Sequence, residues 1–206
     1  WFESLRAGRP TAVTGNIDSF MCGLACGEIS GLAWNILKPG AHAAMKLAEL
    51  GYRKIIWMDY ALHWSHYSHR DRQAGLDKAM RDFDLQGDTL PCTQSWIGKS
   101  PSTIARKLGP DVAVITSRHQ FAHSLVHTLL HENLRPGYDY GLATLDISND
   151  SEHAWPGLCS VQTDRSIIGK LAGHMFLNAL ENKGKLPDSV CLQGTWHAGD
   201  TAWGPR

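Results

Sequence analysis

Hydrophobic and polar positions along this chain predict helices joined to short buried strands. AHAAMKLAEL is rich in helix-forming residues, Gly51 follows at the place of a left-handed cap, and KIIWM is an apolar run that ends at Asp59. The segment from Ser68 to Phe83 has an amphipathic stripe and predicts a surface helix. This alternation of helix and strand is typical of the α/β class.

The later part of the chain continues the alternation. Ser100 and Pro101 form a helix start, because the hydroxyl accepts an amide and the proline occupies a position that needs none. VAVIT reads as a buried strand before a helix over 118–132, GLATL and SVCLQGTW predict two more strands, and a last helix covers 165–181. We therefore predict parallel sheets flanked by helices, with no element predicted for residues 16–37.

Composition narrows the class of protein without naming a function. The chain has 206 residues, of which 43% are hydrophobic and 19% charged, and this suits one or two globular lobes. Twenty basic residues balance twenty acidic ones, so no overall positive field attracts nucleic acid or a membrane surface. No apolar run approaches the roughly 20 residues of a membrane span, and WFESLRAGRP lacks a signal-peptide layout. We expect a cytoplasmic protein.

Cysteine and histidine spacing gives no metal or cofactor prediction. The five cysteines are an odd number without framework spacing, as expected of reduced thiols. Histidines recur every four residues in one segment and every three in another: His119, His123, His127, His131, and His63, His66, His69. Four helical positions spaced by four drift by about 40° per step, so they do not converge as zinc ligands must. No metal site and no cofactor are expected.

Polar residues follow several predicted strands, and this favours a ligand cleft. These residues are Asp59, Tyr60, Ser117, Arg118, Asp146, Thr163 and Asp164. In open α/β sheets, ligands bind beyond the carboxyl ends of the strands, although any single such residue is more often a cap or a surface residue. The sequence has no nucleophile elbow, phosphate-binding glycine loop or zinc-protease motif. We therefore expect a binding protein rather than an enzyme.

The order of three segments, GLATLDISND, LCSVQTD and RSIIGKLAGHMFLNALE, resembles the effector-binding core of the lactose-repressor family of bacterial transcription regulators. The resemblance implies two lobes of the periplasmic-binding type I fold. Residues 1–60 and 165–187 would form the amino-terminal lobe, and residues 61–164 and 188–206 the carboxy-terminal lobe. An effector, a sugar or sugar derivative, would bind between the lobes and change their orientation in a homodimer.

Family members begin with a helix-turn-helix DNA reader and two further strand-helix steps, whereas this chain opens with WFESLRAGRPTAV. The resemblance therefore predicts a fragment with an incomplete amino-terminal lobe, in which DNA is contacted only through a segment missing from this chain. A periplasmic sugar-binding receptor of a transport system shares the lobed fold. It is the alternative function.

The resemblance also assigns ligand-binding residues. ELGYRKIIWMD followed by SHRDRQAGLDKAM matches the family's strand and helix, and Arg72, three residues before Gly75, takes the place of the arginine that hydrogen-bonds the effector. Asp146 matches the acidic residue that accepts hydrogen bonds from ligand hydroxyls or amines. A surface salt bridge is the alternative role for Arg72.

Four further residues are assigned smaller roles in the site. Trp96, in QSWIG, resembles the aromatic that packs on the effector ring, with packing at the rim as its alternative. Ser68 and Thr163 are assigned hydrogen bonds to the ligand, although both are also consistent with structural hydroxyls. His66, close to Ser68 in sequence, is a candidate to face the cleft.

Arg118 departs from the family pattern, which has Asn-Asp where this chain has Arg118 and His119. The effector is therefore expected to differ from that of the lactose repressor. An added cation favours an acidic or phosphorylated sugar, but an arginine there is also suited to pair with Asp146.

Overall fold

The computed structural model describes residues 32–34, 37–60, 67–92, 101–145, 156–162, 165–181, 190–192 and 194–205. Its elements in chain order are β1 (Leu32–Trp34), α1 (Leu37–Glu49), β2 (Lys54–Tyr60), α2 (Tyr67–Asp82), β3 (Gln86–Cys92), α3 (Pro101–Ala105), β4 (Val112–Thr116), α4 (His119–Leu130), β5 (Gly141–Thr144), β6 (Cys159–Gln162), α5 (Arg165–Glu181), β7 (Val190–Leu192) and β8 (Thr195–His197). The chain forms two compact units, 1–36 with 163–194 and 37–162 with 195–206.

The larger unit is built on a six-stranded sheet with the order β3-β2-β4-β5-β6-β8. Its strands are parallel except β8, which is antiparallel to β6. β2 lies between β3 and β4 and pairs with both, so residues 37–60 belong to this unit. The division at residue 37 differs from the lobe boundary at residue 60 given in the sequence analysis, because the pairing of β2 with β3 and β4 joins α1 and β2 to this sheet.

Helices cover both faces of this sheet, as parallel strands require. On one face, α1 and α2 bury Leu47 and Leu76 against a cluster that includes Trp57 of β2. On the other face, α4 buries Leu125 and Leu129 against β-branched and aliphatic residues of the strands. The sheet is therefore buried on both sides.

The smaller unit is described through three elements. β1 pairs with β7 in parallel, with Leu32 opposite Val190, and α5 contacts β1. The predicted helix over 165–181 matches α5. The single strand predicted for SVCLQGTW is wrong, because β7 pairs with β1 in this unit while β8 pairs with β6 in the other.

Tyr140 offers a test of the core of the larger unit. Its side chain is 1% exposed, and its hydroxyl has no hydrogen-bond partner among the described residues. Burial, with a smaller contribution from Asp139, raises the pKa of Tyr140. Because a buried unpaired hydroxyl is unfavourable, we expect Tyr140→Phe to leave the free energy of unfolding unchanged or to raise it by up to about 2 kcal/mol.

Tyr52 provides the matched control, because its buried hydroxyl accepts a hydrogen bond from the Gly204 amide at 3.3 Å. Tyr52→Phe should lower the free energy of unfolding by about 0.5–1.5 kcal/mol, measured by urea unfolding beside Tyr140→Phe. An equal loss of stability in both variants would contradict the interpretation of Tyr140.

Candidate functional site

The order of the strands places a crevice between β2 and β4. From β2 the chain passes through α2 to β3 on one side, and it then returns through α3 to β4 on the other side of β2. α2 packs on one face of the sheet and α3 on the opposite face. Such a reversal is the topological switch point at which open α/β sheets bind ligands, beyond the carboxyl ends of the two strands.

Asp59 and Ser117 meet at this switch point. Asp59 is the sixth residue of β2 and is 2% exposed, and Ser117 directly follows β4 and is 1% exposed. The Ser117 hydroxyl donates a hydrogen bond of 2.5 Å to Oδ1 of Asp59, and the Ser117 amide donates to the Met58 carbonyl at 3.1 Å. Since a buried carboxylate requires hydrogen-bond donors, this pair fixes the relative position of the two strand ends.

A row of buried hydroxyls extends this polar region across the neighbouring strands. Thr116, Thr144 and Ser160 are fully buried and lie in register on β4, β5 and β6. The Thr116 hydroxyl lies 3.5 Å from the Ala143 carbonyl, and the side-chain Nε2 of Gln162 donates to Ser160 Oγ at 2.8 Å. The interior of the sheet thus becomes polar close to its carboxyl end.

Arg118 is the charged group next to this region. It is the N-cap residue of α4, has extended backbone angles of φ −143° and ψ 144°, and makes no side-chain capping hydrogen bond. The side chain is exposed, whereas the neighbouring Ser117 is buried. The end of β4 therefore carries a buried hydroxyl followed by an exposed cation.

Arg72 lies in α2, the helix that follows β2, and its side chain is half-buried. Its backbone is held close to α1, because a Cβ atom on Gly40 would lie 3.1 Å from the Arg72 carbonyl oxygen. Ser68 is in the first turn of the same helix, and its side chain lies outside the described set. The structure thus places Arg72 and Arg118 on helices that follow the two strands of the switch point.

The other predicted site residues are Asp146, Trp96, Thr163 and His66, and they lie outside the described residues. In the chain, Asp146 comes two residues after β5 and Thr163 directly follows β6. Their ligand contacts remain predictions. Within the part of the chain that the structure describes, no three His, Cys, Asp or Glu side chains form a group that could hold a metal ion.

The sequence indicated Asp59 and Ser117 only as two of several polar residues at strand ends. Their hydrogen bond joins residues 58 positions apart, and it depends on β2 and β4 being neighbours in the sheet. An order in which β3 separated them would have kept both residues at strand ends without this contact. The Asp59–Ser117 hydrogen bond could therefore be identified only once the order of the strands was known.

No protein-family model matches the sequence, and a search of the curated proteins finds no match. Solved structures do match. A LacI family transcriptional regulator from Enterococcus faecium with bound ribose has a TM-score of 0.74 and 15% identity, covering 99% of this chain and 83% of its own. A dimeric Lac repressor has a TM-score of 0.73 and 16% identity, with 94% and 76% covered.

A third match is a periplasmic binding protein/LacI transcriptional regulator from Alkaliphilus metalliredigens complexed with D-xylulofuranose, at a TM-score of 0.69 and 15% identity, with 84% and 66% covered. These likenesses confirm the predicted fold class, an α/β protein of the periplasmic-binding type. These three structures are described as a transcriptional regulator, a repressor and a periplasmic binding protein/LacI transcriptional regulator. Among the described helices, none has the length and apolar character needed to cross a membrane.

Proposed function

We propose that this chain binds a small sugar or sugar derivative as the effector-binding part of a cytoplasmic transcription regulator. Effector binding changes the arrangement of the two units, and this change alters DNA binding by a helix-turn-helix segment outside the chain. The regulator acts as a homodimer and performs no chemical reaction. The fold shared with a ribose-bound and a xylulofuranose-bound protein supports this proposal.

The observation that carries the proposal is the Asp59–Ser117 hydrogen bond at the switch point. Burying a carboxyl group and a hydroxyl at the end of a sheet costs free energy, and apolar residues would avoid that cost if the sheet end were purely structural. Beside a ligand, the same pair provides a rigid polar base for the crevice. Hydroxyl-rich ligands suit such a base, because their hydroxyls donate and accept hydrogen bonds.

The cationic side chains refine the class of effector. Arg72 presents several donors in one plane, which suits vicinal hydroxyls or a carboxylate, and Arg118 adds an exposed positive charge at the end of β4. With Asp146 as acceptor and Trp96 against the ring, the site takes a sugar, and Arg118 favours one that carries an acidic or phosphoryl group. Ser68, Thr163 and His66 supply further polar contacts.

The test is thermal unfolding of the protein against neutral sugars, sugar acids, sugar phosphates and purines. A ligand that binds the folded state raises the unfolding temperature in a concentration-dependent way. Arg72→Ala and Asp146→Ala should each weaken binding of the active ligand class by roughly 10- to 100-fold, the loss of one hydrogen bond to a charged group. Loss of Arg118 should weaken binding of acidic ligands more than that of neutral ones.

Arg81→Ala is the control for Arg72→Ala, because Arg81 is an exposed arginine in the last turn of the same helix. Both variants lower the net charge by one, but only Arg72→Ala removes a proposed ligand contact. Equal affinities in the two variants would remove Arg72 from the site. A flat response to every ligand class would count against the effector proposal.

A periplasmic sugar receptor is the second candidate, since one matched structure is described as a periplasmic binding protein/LacI transcriptional regulator. The two functions differ in their response to DNA. The full-length gene product of a regulator binds DNA upstream of nearby genes, and the effector changes that affinity. A receptor binds the sugar with the same affinity whether or not DNA is present.

A further inference from the structure

His127 and His131 form an exposed pair on the last turn of α4 and the residue that follows it. Both side chains are exposed, and their rings are T-shaped, with centroids 5.1 Å apart and planes at 74°. Neither imidazole makes a hydrogen bond or an ion pair with any described residue. The two rings are thus open to solvent and close to each other.

The backbone beneath this pair is held in place by the core. Leu125 and Leu129, on the same helix, are fully buried against the sheet. His131 is the C-cap residue with helical angles of φ −68° and ψ −21°, and its amide donates to the Leu129 carbonyl. The spacing of four residues on a fixed helical turn therefore sets the separation of the rings.

The separation of these rings fits two ligands of one metal ion. Imidazole nitrogens bind zinc at about 2.0–2.1 Å, so two rings on a tetrahedral ion have centroids about 5.2 Å apart. His119 and His123, with the same spacing in sequence, have centroids 6.3 Å apart. His123 also has its Nε2 buried, and burial, with a smaller effect of His119, lowers its pKa. Of the two histidine pairs described on α4, the His127–His131 pair alone combines this distance with exposure.

We propose that His127 and His131 bind one divalent transition-metal ion through their imidazole nitrogens, with water at the remaining positions. Imidazole pairs suit Cu²⁺, Ni²⁺ and Zn²⁺, whereas Mg²⁺ and Ca²⁺ require oxygen ligands. This site is separate from the ligand crevice, because the pair lies at the carboxyl end of α4 and Ser117 precedes its amino end. The inference is independent of the proposed effector.

Isothermal titration calorimetry of the whole chain with Zn²⁺, Ni²⁺ and Mg²⁺, at a fixed pH of about 8, tests the proposal. The double variant His127→Gln/His131→Gln should bind Zn²⁺ and Ni²⁺ more than about tenfold more weakly, as expected when metal ligands are removed. Cu²⁺ added to the unaltered chain should give an electron paramagnetic resonance spectrum with nitrogen hyperfine coupling that the double variant loses.

The control is His174→Gln/His197→Gln, which removes two exposed histidines from α5 and β8. This control removes as many imidazoles as the test variant does but leaves the proposed pair intact. Its affinity for Zn²⁺ should therefore equal that of the unaltered chain. Equal weakening in both double variants, unchanged affinity in both, or no binding to the unaltered chain would each overturn the proposal. Circular dichroism confirms that the variants remain folded.

Discussion

Thr201→Val should lower the free energy of unfolding of the six-stranded unit by about 2–4 kcal/mol, because two buried backbone groups lose their partner. The fully buried Thr201 hydroxyl donates to the Leu142 carbonyl at 2.7 Å and accepts from the Cys159 amide at 2.9 Å. β5 and β6 pair directly only through Ala143–Cys159 and Thr144–Ser160. The hydroxyl therefore bridges these two strands next to the short ladder.

The control for this variant is Thr195→Val on β8, where the side chain is exposed. That substitution should change stability by less than about 0.5 kcal/mol, as exposed positions do. Urea unfolding gives both values, and amide hydrogen exchange at Cys159 should become faster in Thr201→Val alone. Equal stabilities of the two variants would show that the bridging hydroxyl contributes nothing.

Gly137→Ala is the second substitution for which we expect a large effect. Gly137 has φ +81°, a left-handed conformation that costs other residues roughly 1–2 kcal/mol. An added Cβ would lie 2.4 Å from the Asp200 carbonyl oxygen, so the backbone beside Thr201 must move. With about 1–3 kcal/mol for the overpacking, the free energy of unfolding should fall by roughly 2–5 kcal/mol.

Gly109→Ala is the matched control for Gly137→Ala. Gly109 has no positive φ, and an added Cβ would meet its nearest neighbour, Asp111 Oδ1, at an ordinary 3.4 Å. We expect that variant to unfold at nearly the same urea concentration as the unaltered chain.

Because Gly137 and Thr201 act on the same segment, the loss of stability in the double variant Gly137→Ala/Thr201→Val should be smaller than the sum of the losses in the two single variants. A strictly additive result would contradict a shared segment.

The elements with a strong hydrophobic period were predictable from the sequence. VAVIT forms β4 and AHAAMKLAEL lies largely in α1, since local composition and burial favour the same structure there. β3 was missed because QGDTLPC contains glycine, aspartate and proline, which disfavour strands. It is an edge strand of its sheet, where such residues are tolerated.

The candidate site was only partly predictable, for a different reason. A polar residue after a strand can be recognised from sequence, as Asp59, Ser117 and Arg118 were. Which of them meet depends on strand order, and this order is decided by contacts between residues far apart in the chain. The boundary between the two units depends on the same long-range pairing, because β2 joins the larger unit through its bonds to β3 and β4.

The interleaving of the two units along the chain has a consequence for synthesis on the ribosome. Within the six-stranded sheet, β2 to β6 emerge before β8, which covers the outer edge of β6. β8 follows only after residues 163–194, which belong to the smaller unit. A nascent chain therefore exposes the unpaired backbone edge of β6 while the smaller unit is being completed. Such an edge pairs readily with other chains, so slow translation over 163–194 should favour aggregation or capture by chaperones.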